Sequence, residues 1–165
     1  MNIFVLDECP DTSAEYMCDQ HIPKMLVESA QMMASALLEN GVSTSKMPLT
    51  KKGTPYRGGY KHHPCTKWVG ETRNNYLWLA DHASRLWREH YLRFGTSHAC
   101  GYAVAKMYNL YSETSIPKGR RTRFVQAMPD EYKNPCTITA YRNFYRGEKA
   151  KFATWDRSRQ PWWWK

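Results

Sequence analysis

Residues 64–95 read PCTKWVGETRNNYLWLADHASRLWREHYLRFG, and this stretch decides the fold. Pro64 suits the first turn of a helix, where its missing N–H would have no partner anyway. Trp68, Thr72, Asn75, Tyr76, Leu79, Ala83, Leu86 and Trp87 then recur at three- and four-residue intervals down to Phe94-Gly95. That is the period of an α-helix with one buried face. The spacing predicts a long helix from Pro64 to Phe94 whose stripe belongs to a core rather than to a cofactor pocket.

Working outward, the same pattern recurs. Upstream, Asp11 or Thr12 can cap a short helix through Ala14, Tyr16, Met17 and Cys18. Pro23 fits the first turn of a longer helix carrying Met25, Leu26, Met32, Met33, Ala36 and Leu37, with a stop signal at Asn40-Gly41. The opening residues Met1 to Leu6 read as a short buried extended segment or a tail laid across the core, closed off by Pro10. Residues 42–63 form a long loop containing Tyr56-Arg57-Gly58-Gly59-Tyr60, whose paired glycines could let backbone approach a phosphate. Downstream, Ser97 to Leu110 can form a helix, and a basic loop runs from Pro117 to Arg123. After Pro135 a last helix is marked by Ile138, Tyr141, Tyr145, Phe152 and Trp155. With four or five helices and one doubtful strand, the expected class is all-α. The expectation is a single compact helical domain over residues 1–165, with an extended N-terminal segment and an aromatic, basic C-terminal tail.

Charge is distributed unevenly. Residues 1–117 hold 12 Lys/Arg against 11 Asp/Glu, whereas residues 118–165 hold 12 against 4, so nearly all of the net +9 lies in the last third. That third also carries Phe144, Tyr145, Trp155 and the run Trp162-Trp163-Trp164. Cations release counterions from phosphates and rings stack on bases, so this mixture suits nucleic acid as partner. No apolar run near the start is long enough for a signal peptide or a membrane span, and no membrane association is expected. Five cysteines without a C-x-x-C pair read as free thiols in a reducing compartment, and the chain is expected in the cytoplasm (a host cytoplasm if phage-encoded).

Three groups of residues could carry chemistry. His21 and Glu28 lie two helical turns apart and can share one face, as acid/base or electrostatic partners, with Asp19 as the alternative helix cap. His62-His63-Pro64-Cys65 offers ligand atoms, but adjacent histidines ligate one metal poorly and no fourth ligand is evident. No metal or cofactor is expected, and His63 reads better as a phosphate or base contact. Arg142, Arg146 and Lys149 recur at four and three residues and line one helical face, followed by a tail with three tryptophans of which at least one should be structural.

In this order the blocks resemble the pyrimidine-dimer DNA glycosylase/AP lyase family of T-even phage, the endonuclease V family. The resemblance rests on the short N-terminus leading to Asp19-Gln20-His21 with Glu28, and on the aromatic helix near His63. It also rests on Met128-Pro129-Asp130-Glu131-Tyr132-Lys133, on Glu148-Lys149, and on Arg159-Gln160-Pro161-Trp162-Trp163-Trp164-Lys165. The chain is also similar to uncharacterised phage proteins that open in the same way. Residues 42–63 and 96–125 have no counterpart. The resemblance implies an all-α protein that clamps kinked duplex DNA and extrudes a nucleotide. An amine would attack the sugar C1′ to form an imine while a carboxylate promotes elimination.

The carboxylate carries over to Glu28, a DNA-contacting cation to Lys149, and a DNA-facing segment to the tail that holds Trp162 and Trp163. Arg142 and Arg146 can be placed only on the same helix as Lys149, and Lys24, Arg57, His63 and Arg121 complete the expected DNA-contact set. The family's nucleophile is the α-amine exposed by removal of the initiator methionine. Here residue 2 is Asn, whose bulk disfavours that removal, and the family's arginine beside the terminus is absent. Three routes stay open: the Met1 amine, a desolvated lysine such as Lys24, or loss of imine chemistry. The expected function is a monomeric base-excision enzyme acting on double-stranded DNA. The alternatives are a non-catalytic phage DNA- or nucleotide-binding accessory protein and a nucleotide-processing hydrolase.

Overall fold

A computed structural model describes residues 1–164 and is all-α. In chain order the helices are α1 (Pro10–Glu15), α2 (His21–Glu39), α3 (Pro64–Glu71), α4 (Arg73–Phe94), α5 (Cys100–Asn109) and α6 (Thr137–Phe144). α2 packs against α3, α4 and α5, and α1 lies on α4. Among the described residues, the isolated bridge between Leu49 and Pro55 is the only β-pairing.

The long helix expected over 64–94 is two helices. Thr72 is extended (φ −142°, ψ 155°), and its hydroxyl accepts the Asn75 N–H at 3.1 Å as the N-cap of α4. The Asn75 side chain in turn donates to the Trp68 carbonyl at 2.7 Å, satisfying an acceptor left open by the break. The apolar stripe is continuous across the break because Trp68, Asn75, Tyr76, Leu79, Ala83 and Leu86 are all buried.

Other boundaries shift for local reasons. α1 starts at Pro10 with Cys9 in the cap position, so Asp11 and Thr12 lie inside the helix. α2 ends at the Asn40 cap before Gly41 (φ +90°), as Asn40-Gly41 signalled. α5 begins at Cys100 rather than Ser97. The last helix ends at Phe144 and loosens into a π-turn over Tyr145–Lys149, which leaves Phe152 and Trp155 beyond it.

Residues 2–6 are buried without a strand partner, and their backbone is not extended throughout, because it enters the left-handed region at Phe4 (φ +52°); the segment is a tail laid across the core. Side chains satisfy their backbone instead. Asn2 Oδ1 accepts from Ile3 N (2.8 Å) and Phe4 N (3.1 Å). Ser13 Oγ accepts from Leu6 N (3.0 Å), and Arg142 Nε donates to Leu6 O (3.0 Å).

A buried ionic cluster ties four segments together. The Arg93 guanidinium, at the end of α4, reaches Asp19 (3.1 Å) and Glu89 (2.9 Å). It also donates to the carbonyls of Met17 and Glu15, both at 2.8 Å. Asp19 does not cap α2; its second oxygen accepts the backbone N–H of Arg157 in the tail at 3.1 Å. Removing one member of such a cluster strands the other charges. Arg93→Met is therefore expected to cost about 3–5 kcal/mol of stability, read from the urea midpoint. A loss below about 1 kcal/mol, the exposed-pair range, would show that the cluster does not hold these segments together.

Candidate functional site

The N-terminal segment ends against α2, and the contact is made by Glu28. Its Oε2 accepts the Asn2 backbone N–H at 2.8 Å and lies 3.8 Å from the Met1 nitrogen. Asn2 Nδ2 donates to the Ala127 carbonyl at 2.7 Å, fixing the segment from the other side. The Met1 side chain is buried (1% exposed), and the Thr66 hydroxyl donates to its sulfur at 3.4 Å. An open pocket of about 350 Å³ adjoins this junction, lined by Met1, Lys24, Val27, Glu28, Gln31 and Tyr60.

Lys24, Glu28, Gln31 and Ser35 follow one another at four, three and four residues, so they form a single stripe along α2. Gln31 and Thr66 are not marked by the sequence, and Asn2 and Tyr60 enter it only as a bar to methionine removal and as the end of a glycine loop. Only the α2 stripe carried a readable signal for one of them, since the other contacts are tertiary.

His63 joins the site. Its Nδ1 accepts the Cys65 N–H (3.2 Å) and caps α3. Burial lowers its pKa first and the Met1 ammonium lowers it further, while Glu28 opposes both. Cys65 lies inward, its thiol pushed up to about 12 mainly by burial. Among the described residues no three His, Cys, Asp or Glu side chains converge as a metal site.

His21 faces elsewhere. It is buried, stacked on Phe4 (4.8 Å between centroids) and flanked by Tyr145 and Phe152. The Tyr145 hydroxyl accepts from Cys18 N (3.1 Å) and shares a hydrogen bond with His21 Nδ1 at 2.6 Å. Burial brings the His21 pKa down to about 3, with the charges of Lys24 and Lys149 adding to the effect. The imidazole is thus a neutral packing group under Phe4 and does not line the pocket with Glu28.

The expected DNA contacts divide into two sets. Arg142 is held by Leu6 O and by Asp7 (3.3 Å), and Arg146 donates to Trp163 O at 2.7 Å. Both anchor the chain's own termini rather than standing free on one helical face. Arg121 pairs with Glu8 and lies 4.0 Å over Phe124. Trp163 is 5% exposed and belongs to the core, whereas Trp162 is 70% exposed.

Lys149 sits over the Phe144 ring at 4.6 Å, its pKa lowered chiefly by burial and further by Lys24 and Lys151, against Glu148. Lys24 is exposed at the pocket rim, without the desolvation that a lysine nucleophile needs. Arg57 is exposed on the 42–63 loop. Of the paired glycines of that loop, Gly58 (φ +73°) serves packing, since a Cβ there would fall 2.3 Å from Ser35 Oγ, whereas Gly59 has open space at that position.

This geometry is an amine and a carboxylate meeting at an open pocket with lysines and a histidine nearby. Residues 1–100 match the family model described as pyrimidine dimer DNA glycosylase. No curated protein and no solved structure matches the chain.

The buried histidines carry a pH signature. His21 titrates near 3 and His82, also buried, near 4 in the native state, against about 6.5 unfolded. The unfolded chain therefore binds protons first as pH falls. Stability from these groups is complete above about 6.5 and is lost from there down towards 3. Between pH 7 and pH 5 each histidine is expected to remove about 2 kcal/mol, measured by urea unfolding. A flat profile across that window would contradict their burial as neutral groups.

Proposed function

The chain belongs to the pyrimidine dimer DNA glycosylase family, and from that premise we propose that it is a DNA glycosylase/AP lyase acting on double-stranded DNA as a monomer. The observation that carries this reading is the Met1 nitrogen standing 3.8 Å from Glu28 Oε2 at the wall of an open pocket. An α-amine titrates near 8, so a useful fraction is unprotonated and nucleophilic at neutral pH, unlike a lysine near 10.4.

The Met1 nitrogen forms a bond to the sugar C1′ as the glycosidic C–N bond breaks, and the base departs with the bonding pair. Glu28 takes the proton that the nitrogen sheds and hands it to the ring oxygen, which opens the sugar to an imine. Glu28 then accepts the C2′ proton as the C3′–O bond breaks and the phosphate leaves. Two features of the chain favour the Met1 amine over that of residue 2. The Met1 side chain is seated beneath Thr66, and the Asn2 side chain is already committed to Ile3, Phe4 and Ala127. Lys24 and Lys149 supply positive charge, and His63, whose Nδ1 is taken by the Cys65 N–H, supplies a neutral ring donor for the flanking phosphates.

Borohydride treatment with a duplex containing one abasic site is expected to trap a covalent complex. Glu28→Gln should bind that duplex with unchanged affinity and cleave it at least about 100-fold more slowly. One extra residue ahead of Met1 should abolish trapping, and intact mass should show Met1 retained. If the wild-type protein traps nothing where an authentic lyase does, the imine route falls and the accessory DNA-binding reading takes its place.

A further inference from the structure

Tyr60 combines three features that packing does not account for. The residue is 68% exposed while lining the pocket that holds Met1 and Glu28. Its backbone lies in the left-handed region (φ +53°), which tyrosine rarely adopts. The residues on either side hold it there. Gly59 exchanges two hydrogen bonds with Ser35 of α2, N–H to Oγ at 2.9 Å and Oγ–H to O at 3.0 Å. The Tyr60 carbonyl accepts the His63 N–H at 2.8 Å.

The clamp at Ser35 sits on the same α2 stripe as Gln31 and Glu28. The loop is thus fastened at one end of the stripe and presents its aromatic side chain at the pocket further along. Gln31 lines the same pocket, and none of the hydrogen bonds among the described residues uses its amide. A flat ring beside an unengaged amide, next to an amine and a carboxylate, matches a planar heteroaromatic with donors and acceptors on its edge. Strain held at a pocket rim also points to a selected side chain, because glycine or asparagine would hold that backbone more cheaply.

Resting on the DNA-glycosylase reading, we propose that Tyr60 is a specificity-determining residue of this site, the stacking wall for an unstacked nucleobase whose edge is read by Gln31. The base comes either from the position opposite the reacting sugar or from the position next to it on the same strand. Neither source changes the chemistry that recognises it.

The test uses duplexes with one tetrahydrofuran abasic analogue and the fluorescent base 2-aminopurine, opposite the analogue in one duplex and adjacent to it in the other. With the wild-type protein and Tyr60→Phe, the 2-aminopurine that enters the pocket is expected to stay quenched by stacking. With Tyr60→Gly it should become at least fivefold brighter, and the responding duplex identifies the source. Glycine accepts the positive φ, so Tyr60→Gly should match or exceed the wild-type melting temperature. Gln31→Ala should weaken binding of the responding duplex several-fold and leave the other unchanged. Equal fluorescence for wild type and Tyr60→Gly in both duplexes overturns the proposal, as does Tyr60→Phe behaving like Tyr60→Gly. Absence of trapping by the wild-type protein instead overturns the lyase reading, so the two failures are told apart.

Discussion

The structure depends on burying the backbone of residues 2–6 without a sheet to receive it. Each N–H and C=O taken from water needs a partner, and a segment with no neighbouring strand must draw those partners from side chains. Asn2, Ser13 and Arg142 supply them. Their positions explain much of the architecture: Ser13 requires α1 to lie alongside, and Arg142 requires α6 to approach from the opposite end of the chain. Ile3, Phe4, Val5 and Leu6 drive the burial, while the polar contacts decide where the segment stops. It stops with the Met1 nitrogen and the Asn2 N–H facing the same carboxylate oxygen. The candidate site is a consequence of how the terminus is secured.

The same requirement redistributes the positive charge. By sequence the cations of the last third form a basic face; in the structure several are committed internally. Arg142 and Arg146 hold the two termini, Arg121 is shared between Glu8 and Phe124, and the Arg157 guanidinium donates to the Arg93 carbonyl at 3.4 Å. An arginine that anchors backbone through its fork is partly desolvated and less available to a phosphate. The cation that lines the pocket is Lys24 of α2, and Lys149, at the end of the π-turn, is near enough to Lys24 for the two charges to repel. A basic composition thus identifies the kind of partner better than the place of contact.

Much of the helical frame was legible because its signals are local. Pro23 and Asn40-Gly41 bracket α2, Pro64 opens α3, and the period through Tyr76, Leu79, Ala83 and Leu86 marks the face of α4. The break at Thr72 was not, since a threonine three residues before an asparagine fits a helix interior as well as a cap. Its choice is settled by contacts with Trp68 and with Pro117, whose carbonyl accepts the Arg73 N–H at 2.9 Å. Three successive tryptophans look alike in sequence, yet Trp162 is exposed while Trp163 is buried against Tyr16 and Tyr145. Glu28 could be nominated from its family position. That it meets Met1, or that His63 joins it while His21 turns inward, depends on segments tens of residues apart.

Among the described residues, two that are not glycine have positive φ: Phe4 at +52° and Tyr60 at +53°. They belong to different segments, and both segments border the Met1–Glu28 junction. Each conformation costs on the order of 1–3 kcal/mol and persists only where the surroundings over-determine it. For Phe4 the surroundings are evident, since its ring packs on His21, Phe144 and Tyr145 and its N–H is held by Asn2. For Tyr60 the backbone is clamped just as firmly, but the ring has nothing comparable to pack on. Strain offset by burial is a packing device. Strain that holds a bare aromatic ring beside an amine and a carboxylate implies that the missing contact is made by what binds there.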